Sequence, residues 1–161
     1  MELYLIRHAD AAPVGENGVL DDALRPLTPK GQEQSKAVGH GLVRRGVRLP
    51  MVVASPLLRA RQTAEGIAQA LAEPGLELRT CEELAPDGKR KRLRRFLKDL
   101  SLDAVALVGH EPSLGEFAAW LIGSKKARVD LAKAGVACIH FDGCVAKGEG
   151  RLLWLVTPEW F

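Results

Sequence analysis

Short apolar runs alternate with amphipathic stretches along most of this 161-residue chain. Strand-like runs lie at Leu3–Ile6, Met51–Ala54, Ala104–Val108, Val136–Phe141 and Leu152–Val156, with a weaker one at Leu76–Leu78. Between the first four runs, apolar residues recur at helical spacing, as in Leu57–Leu71. This alternation predicts an α/β fold, a three-layer sandwich whose mostly parallel central sheet carries helices on both faces. Only the Gly-rich DGCVAKGEG separates the last two runs, which predicts a C-terminal antiparallel hairpin and hence a mixed sheet.

Length and composition predict one soluble domain, residues 1–161, because domains average about 150 residues. The net charge of +3 is a mild bias, so a nucleic-acid partner is not expected. No run approaches the ~18 apolar residues of a membrane span, and no secretory leader is visible. Cys81, Cys138 and Cys144 lack the spacing of metal ligands and are expected to serve in packing. These features predict a cytoplasmic protein with no membrane partner.

Three helix starts carry clear capping signals. Thr28 precedes Pro29 in LTPKG, Ser55 precedes Pro56 in ASPLL, and Ser113 stands three residues before Glu116 in PSLGE. The second and third of these helices follow directly on predicted strands. Ligands of open α/β sheets bind beyond the carboxyl ends of the strands, and helix N-termini favour an anion there.

Cationic or titratable side chains follow three of the predicted parallel strands. Arg7 and His8 follow the first strand, Arg59 lies one turn beyond the second, and His110 follows the fourth. If these strands are neighbours, two guanidinium groups and two imidazoles converge at one sheet edge. Guanidinium groups buried without a partner are costly, and their forked geometry suits phosphate. The pattern predicts a phosphate site.

Four segments in this order resemble the histidine phosphatase superfamily, which has the phosphoglycerate mutase-like fold, and in particular its small phosphohistidine phosphatases of the SixA type. The segments are RHADAA (7–12), RPLTPKGQEQ (25–34), SPLLRARQTA (55–64) and VGHEP (108–112), the first matching the superfamily's Arg-His-Gly/Ala signature. The resemblance implies that His8 is the nucleophile and is transiently phosphorylated. It also implies that Arg7, Arg59 and His110 bind the phosphoryl group with no metal or other cofactor. The two arginines would hold the pKa of His8 down and keep the imidazole neutral.

The general acid is left open by the sequence. Glu111 directly follows the second histidine, where related acid phosphatases carry an acidic residue, and it is the tentative candidate. Glu82 and Glu83 lie near the region that supplies the acid in mutases, but a solvated loop or strand end explains them better. A phosphohistidine substrate needs no strong acid, because its leaving imidazole is protonated on nitrogen.

The predicted function is removal of phosphate from phosphohistidine on a protein. The alternatives are a phosphatase of a small phosphoester or polyphosphate, and a non-catalytic regulator that binds phosphate or a polyanion. The basic run Lys89–Lys98 is most simply a solvated helix face, with Leu93 and Leu97 turned to the core. Alternatively, this basic run binds an acidic partner. Arg25 is expected to anchor a loop over the site rather than to bind substrate.

Overall fold

The computed structural model describes residues 1–161, apart from the side chain of Asn17. Its strands are β1 (Glu2–Arg7), β2 (Met51–Ala54), β3 (Glu77–Thr80), β4 (Ala104–Gly109), β5 (Val136–His140) and β6 (Arg151–Val156). Its helices are α1 (Pro29–Arg44), α2 (Leu58–Leu71), α3 (Arg90–Lys98) and α4 (Ser113–Leu121). The α/β class and all six predicted strands are confirmed, with small shifts at the strand ends.

The six strands form one mixed sheet in the order β3-β2-β4-β1-β5-β6. The pairs β2–β3, β2–β4 and β1–β4 are parallel, whereas β5 runs antiparallel to both β1 and β6. The predicted C-terminal hairpin is therefore present. Because β2, β4 and β1 are parallel neighbours, their carboxyl ends lie side by side at one edge of the sheet.

Successive residues of β1 pack into two cores on opposite faces of the sheet. Tyr4 and Ile6 belong to the core under α1 and α2, and Leu3 and Leu5 to the core under α3 and α4. All four side chains are at most 1% exposed. Burial on both faces explains the continuous apolar run, which is typical of a central strand. It also holds the carboxyl end of β1, where the predicted site begins, in a fixed position.

The three predicted helix caps have different outcomes. Thr28 caps α1 as expected, since its Oγ1 accepts a hydrogen bond from the Gly31 N–H at 3.1 Å. Ser55 does not cap α2, because the helix begins only at Leu58 after an extended Leu57. Ser113 is itself the first residue of α4, and its hydroxyl donates to the Pro86 carbonyl at 3.3 Å. Both serines bond to groups distant in the sequence, which local capping patterns do not reveal.

The basic run forms α3, and the predicted solvated face is confirmed. Leu93 and Leu97 are buried, whereas the Lys91 and Arg95 side chains are exposed. Cys138 is buried as expected for packing, but Cys144 is exposed because it lies in the loop between β5 and β6. Across the described part of the chain, no helix is both long and apolar enough to cross a membrane.

Candidate active site

His8 follows β1 directly and is held by three hydrogen bonds. Its backbone N–H donates to the Gly109 carbonyl at 2.9 Å, and its carbonyl accepts from the Ala134 N–H at 3.2 Å. The ring Nδ1 lies 2.8 Å from the Ala9 carbonyl oxygen. A carbonyl only accepts, so Nδ1 carries the proton and Nε2 keeps its lone pair. The side chain is only 8% exposed, which leaves the imidazole in one orientation.

Arg59 extends from the first turn of α2 to the His8 ring. Its Nε lies 3.3 Å from His8 Nε2, so this N–H donates to the imidazole lone pair. Its Nη1 donates to the Asp22 carbonyl at 2.7 Å, and its Nη2 donates to Asp22 Oδ2 at 3.0 Å. Burial lowers the pKa of Arg59, an effect that the nearby Asp22 carboxylate opposes. The guanidinium stays charged because arginine titrates far above neutrality.

His110 follows β4 and lies beside His8, with the two ring centroids 5.1 Å apart. Its Nε2 lies 2.8 Å from Ser55 Oγ. That oxygen also accepts from the Leu57 N–H at 3.3 Å. The serine hydroxyl still has its hydrogen and a second lone pair, so it can donate to His110 Nε2 or accept from it, and in either case it holds the ring in place. Ser55 therefore serves the second histidine instead of capping the helix.

Arg7 completes the cationic group from the last position of β1. Its Nη1 donates to the Leu131 carbonyl at 2.9 Å. In the described part of the chain, two buried side-chain nitrogens have no hydrogen-bond partner, Arg7 Nε and His110 Nδ1. Buried polar groups are nearly always paired, and both of these belong to the predicted site. The cluster therefore suits a ligand with several acceptor oxygens.

Both histidines are neutral at physiological pH. Burial lowers the pKa of His8 to about 4, and the Arg59 and Arg7 charges add to this effect. Burial together with His8 and Arg59 lowers the pKa of His110 to about 3. The cluster thus combines two fixed positive charges with two uncharged imidazoles, which favours an anion and leaves a free nitrogen lone pair beside it.

The three candidate acids lie in different surroundings. The Glu111 carboxylate faces the backbone before β5, with Oε1 3.4 Å from the Leu131 N–H. Burial raises its pKa. Glu82 and Glu83 occupy a short 3-10 turn after β3, the edge strand, and Glu83 accepts from the Lys89 N–H at 3.1 Å. The structure thus brings Arg7, His8, Arg59 and His110 together, with Glu111 close to Arg7.

Asp22 contacts the site but was not singled out from the sequence. It lies in the short 3-10 turn Asp22–Leu24, in the loop over the site that Arg25 was expected to anchor. Burial alone would raise the pKa of its carboxyl, but hydrogen bonds from Arg25 and Arg59 lower it overall. Arg25 bonds to Asp22 and to the Ala12 carbonyl, as expected of a loop anchor. Asp22 and Arg59 are 37 residues apart, so no local sequence pattern indicates their contact. No cluster of three or more metal-ligating side chains occurs in the described region.

Comparison with known proteins places the chain in a family. The model of the histidine phosphatase superfamily (branch 1) matches residues 3–85. An uncharacterized protein from Picosynechococcus sp. is 37% identical to this chain, and the match covers 99% of this chain and 98% of that protein. The phosphohistidine phosphatase SixA from Escherichia coli is 29% identical over 98% of this chain and 94% of its own. The structure of the protein histidine phosphatase SixA complexed with tungstate superposes with a TM-score of 0.85 at 27% identity, covering 98% and 97% of the two chains. The matched segments carry Arg7, His8 and Arg59, and the chain belongs to the histidine phosphatase superfamily.

Proposed function

We propose that this phosphatase works without a metal through phosphorylation of His8, and that its substrate is phosphohistidine on a protein. The observation that carries the proposal is the His8 ring itself. Its Nδ1 proton is bound to the Ala9 carbonyl, and its Nε2 lone pair lies beside a buried guanidinium. A neutral imidazole held in this way is an activated nucleophile. Arg7, Arg59 and His110 supply the charge and donors that a phosphoryl group in transfer requires.

In the first step His8 Nε2 attacks phosphorus while the bond from phosphorus to the leaving group breaks. The leaving group takes that electron pair, and the imidazole of a phosphohistidine substrate, protonated by water on its other ring nitrogen, leaves as neutral imidazole. The Arg59 N–H that donates to Nε2 in the resting structure must turn to a phosphoryl oxygen as the lone pair is used. The unpaired Arg7 Nε and His110 Nδ1 donate to the remaining oxygens, with His110 protonated on Nδ1 while its Nε2 accepts from Ser55. These two donors are free before the reaction, which limits the reorganisation in the transition state to the Arg59 N–H.

In the second step water attacks the phosphorus of phospho-His8. The phosphorus–nitrogen bond breaks, Nε2 regains its lone pair, and inorganic phosphate leaves. The Ala9 carbonyl favours breakdown because it keeps the Nδ1 proton in place throughout. The imidazole is thereby restored in the tautomer that reacts again.

The choice of phosphohistidine rests on the similarity to SixA and on the leaving group. Imidazole is protonated on nitrogen and departs more easily than an alkoxide, so the cluster needs no strong acid for it. We place the protein in the cytoplasm, because its three cysteines are free thiols. The exposed basic residues of α3 are the proposed contact for an acidic surface of the phosphoprotein.

Trapping the phosphoenzyme tests this proposal. The protein is mixed with a 32P-labelled phosphohistidine peptide and quenched in base, which preserves phosphohistidine, and the labelled residue is mapped. The label is expected on His8, and His8→Ala is expected to abolish both label and phosphate release. His40→Ala removes an exposed histidine and is the matched control. Label on another residue, unchanged turnover in His8→Ala, or loss of activity in EDTA would contradict the mechanism.

The same experiment separates the candidate substrates. Parallel reactions use sugar phosphates and polyphosphate at equal phosphoryl concentration. Higher kcat/KM for the phosphohistidine peptide is expected. A preference for a phosphoester or for polyphosphate would contradict the proposed substrate but not the proposed role of His8. Salt-sensitive polyphosphate binding without turnover would favour the non-catalytic regulator.

A further inference from the structure

We infer that Glu111 is a positioning residue that fixes Arg7 through the backbone of residues 129–135, rather than the acid that protonates the leaving group. The inference rests on the proposed function, since Arg7 matters there as a phosphoryl ligand. Its basis is a chain of contacts that leads from the Glu111 carboxylate through the backbone of one residue, Leu131, to the Arg7 guanidinium.

The Glu111 carboxylate lies between α4 and the 129–135 segment. Oε1 accepts from the Leu131 N–H at 3.4 Å, and Gly115 in the first turn of α4 lies against the other carboxylate oxygen. A Cβ on Gly115 would lie 2.0 Å from the Val129 carbonyl oxygen and 2.9 Å from Glu111 Oε2. The glycine thus permits close approach of the segment, and Glu111 lies between this turn and the Leu131 backbone to which it bonds.

The same segment holds Arg7 and His8 from its other side. The Leu131 carbonyl accepts from Arg7 Nη1 at 2.9 Å, so residue 131 bonds to Glu111 through its N–H and to Arg7 through its oxygen. The Gly135 carbonyl accepts from the Arg7 N–H at 3.1 Å, and the Ala134 N–H donates to the His8 carbonyl at 3.2 Å. A shift of Leu131 therefore moves a direct support of the Arg7 guanidinium.

A second tether holds the far end of this segment. Lys133 forms an ion pair with Asp10, which also accepts from the Thr28 hydroxyl at 2.7 Å. These bonds lower the pKa of Asp10. Glu111 is the tether nearer to Arg7, and the Leu131 side chain anchors the same point in the core at 1% exposure.

The two roles of Glu111 require different chemistry. A general acid must carry a proton and release it to the leaving atom. A tether must present an oxygen lone pair to the Leu131 N–H, which a glutamine oxygen also does. Glu111→Gln therefore removes the acid and keeps an acceptor, whereas Glu111→Ala removes both.

The test compares Glu111→Gln and Glu111→Ala on aryl phosphates whose leaving groups span a range of pKa values. If Glu111 has a positioning role, Glu111→Ala is expected to lower kcat/KM by about ten- to a hundredfold. The factor should be about the same for every substrate. Glu111→Gln is expected to stay within about threefold of the wild type, since the acceptor is retained. A loss in Glu111→Gln that grows as the leaving group becomes more basic would overturn the inference in favour of the acid. Wild-type activity in Glu111→Ala would overturn it as well.

Phosphate binding provides a readout that does not depend on turnover. The Kd of inorganic phosphate is measured by calorimetry for both variants and for Glu116→Gln, which changes an exposed carboxylate on α4. Weaker binding in Glu111→Ala alone is expected. Equal Kd values in all proteins would contradict the inference, even if Glu111→Ala is less stable to urea. A wild-type protein that forms no phospho-His8 would instead refute the proposed function, and the Kd comparison would still test the tether.

Discussion

Acidification should destabilise this protein through His8 and His110. Both histidines have pKa values in the folded protein, about 4 and about 3, below the ordinary histidine value of 6.5. As pH falls through 6.5 the unfolded chain binds protons that the folded protein refuses, so stability is lost. The loss continues down to the folded pKa values and then stops. Above pH 7 neither histidine makes the free energy of unfolding depend on pH.

The magnitude follows from linkage. At about 1.4 kcal/mol per pKa unit, each histidine should lower the free energy of unfolding by about 2 kcal/mol between pH 7 and pH 5. Together they remove about 4 kcal/mol, a large part of the 5–15 kcal/mol that is typical of domains. The physical cause is that both rings are buried beside fixed guanidinium charges.

Urea unfolding at pH 7, 6 and 5 measures this effect. His8→Asn is the informative variant, because the asparagine amide can still donate to the Ala9 carbonyl. Between pH 7 and pH 5 its free energy of unfolding should fall by about 2 kcal/mol less than that of the wild type, because one buried imidazole has been removed. His40→Asn removes an exposed histidine and should keep the wild-type slope. Equal pH slopes for wild type and His8→Asn would refute the reasoning.

Two further substitutions test the support of the site. Gly31→Ala should destabilise the fold by about 1–3 kcal/mol in urea unfolding and reduce activity, because its Cβ would lie 2.0 Å from the Asp10 carbonyl oxygen next to the His8 loop. Gly143→Ala, with no neighbouring atom within 4 Å, is the control and should be close to neutral. Asp22→Asn should tighten inorganic phosphate binding by about three- to tenfold, because it removes a carboxylate that competes for the Arg59 fork. Calorimetry that shows unchanged or weaker binding would contradict that competition.

Much of the fold was predictable because the strands are strongly marked. Runs such as Leu3–Ile6 are buried on both faces, which makes them continuous and apolar in the sequence. Arg7, His8, Arg59 and His110 could be grouped because they follow strands that a parallel sheet places side by side. The four lie together in the structure as the sequence predicts, and their catalytic roles are the substance of the proposal.

The supporting contacts could not be predicted, because they join groups far apart in the sequence. Ser55 has the local sequence of a helix cap, yet its hydroxyl bonds to His110, 55 residues away. The Leu131 backbone links Glu111 to Arg7, and nothing in the sequence near Leu131 indicates that role. Local patterns specify elements and their ends, whereas such cross-links depend on the complete tertiary arrangement.

The central position of β1 has a consequence for how the protein is made. β1 is the first strand in the chain, but its neighbours are β4 and β5, with Glu2 paired to Ala104 and Ile6 to Val136. During synthesis this apolar strand has no pairing partner until more than a hundred further residues have been made, and unpaired strand edges favour aggregation. Such sequence-distant pairing also slows folding. His8 is therefore synthesised long before the strands that hold it in place, and a nascent chain that stops short of β4 lacks both of them.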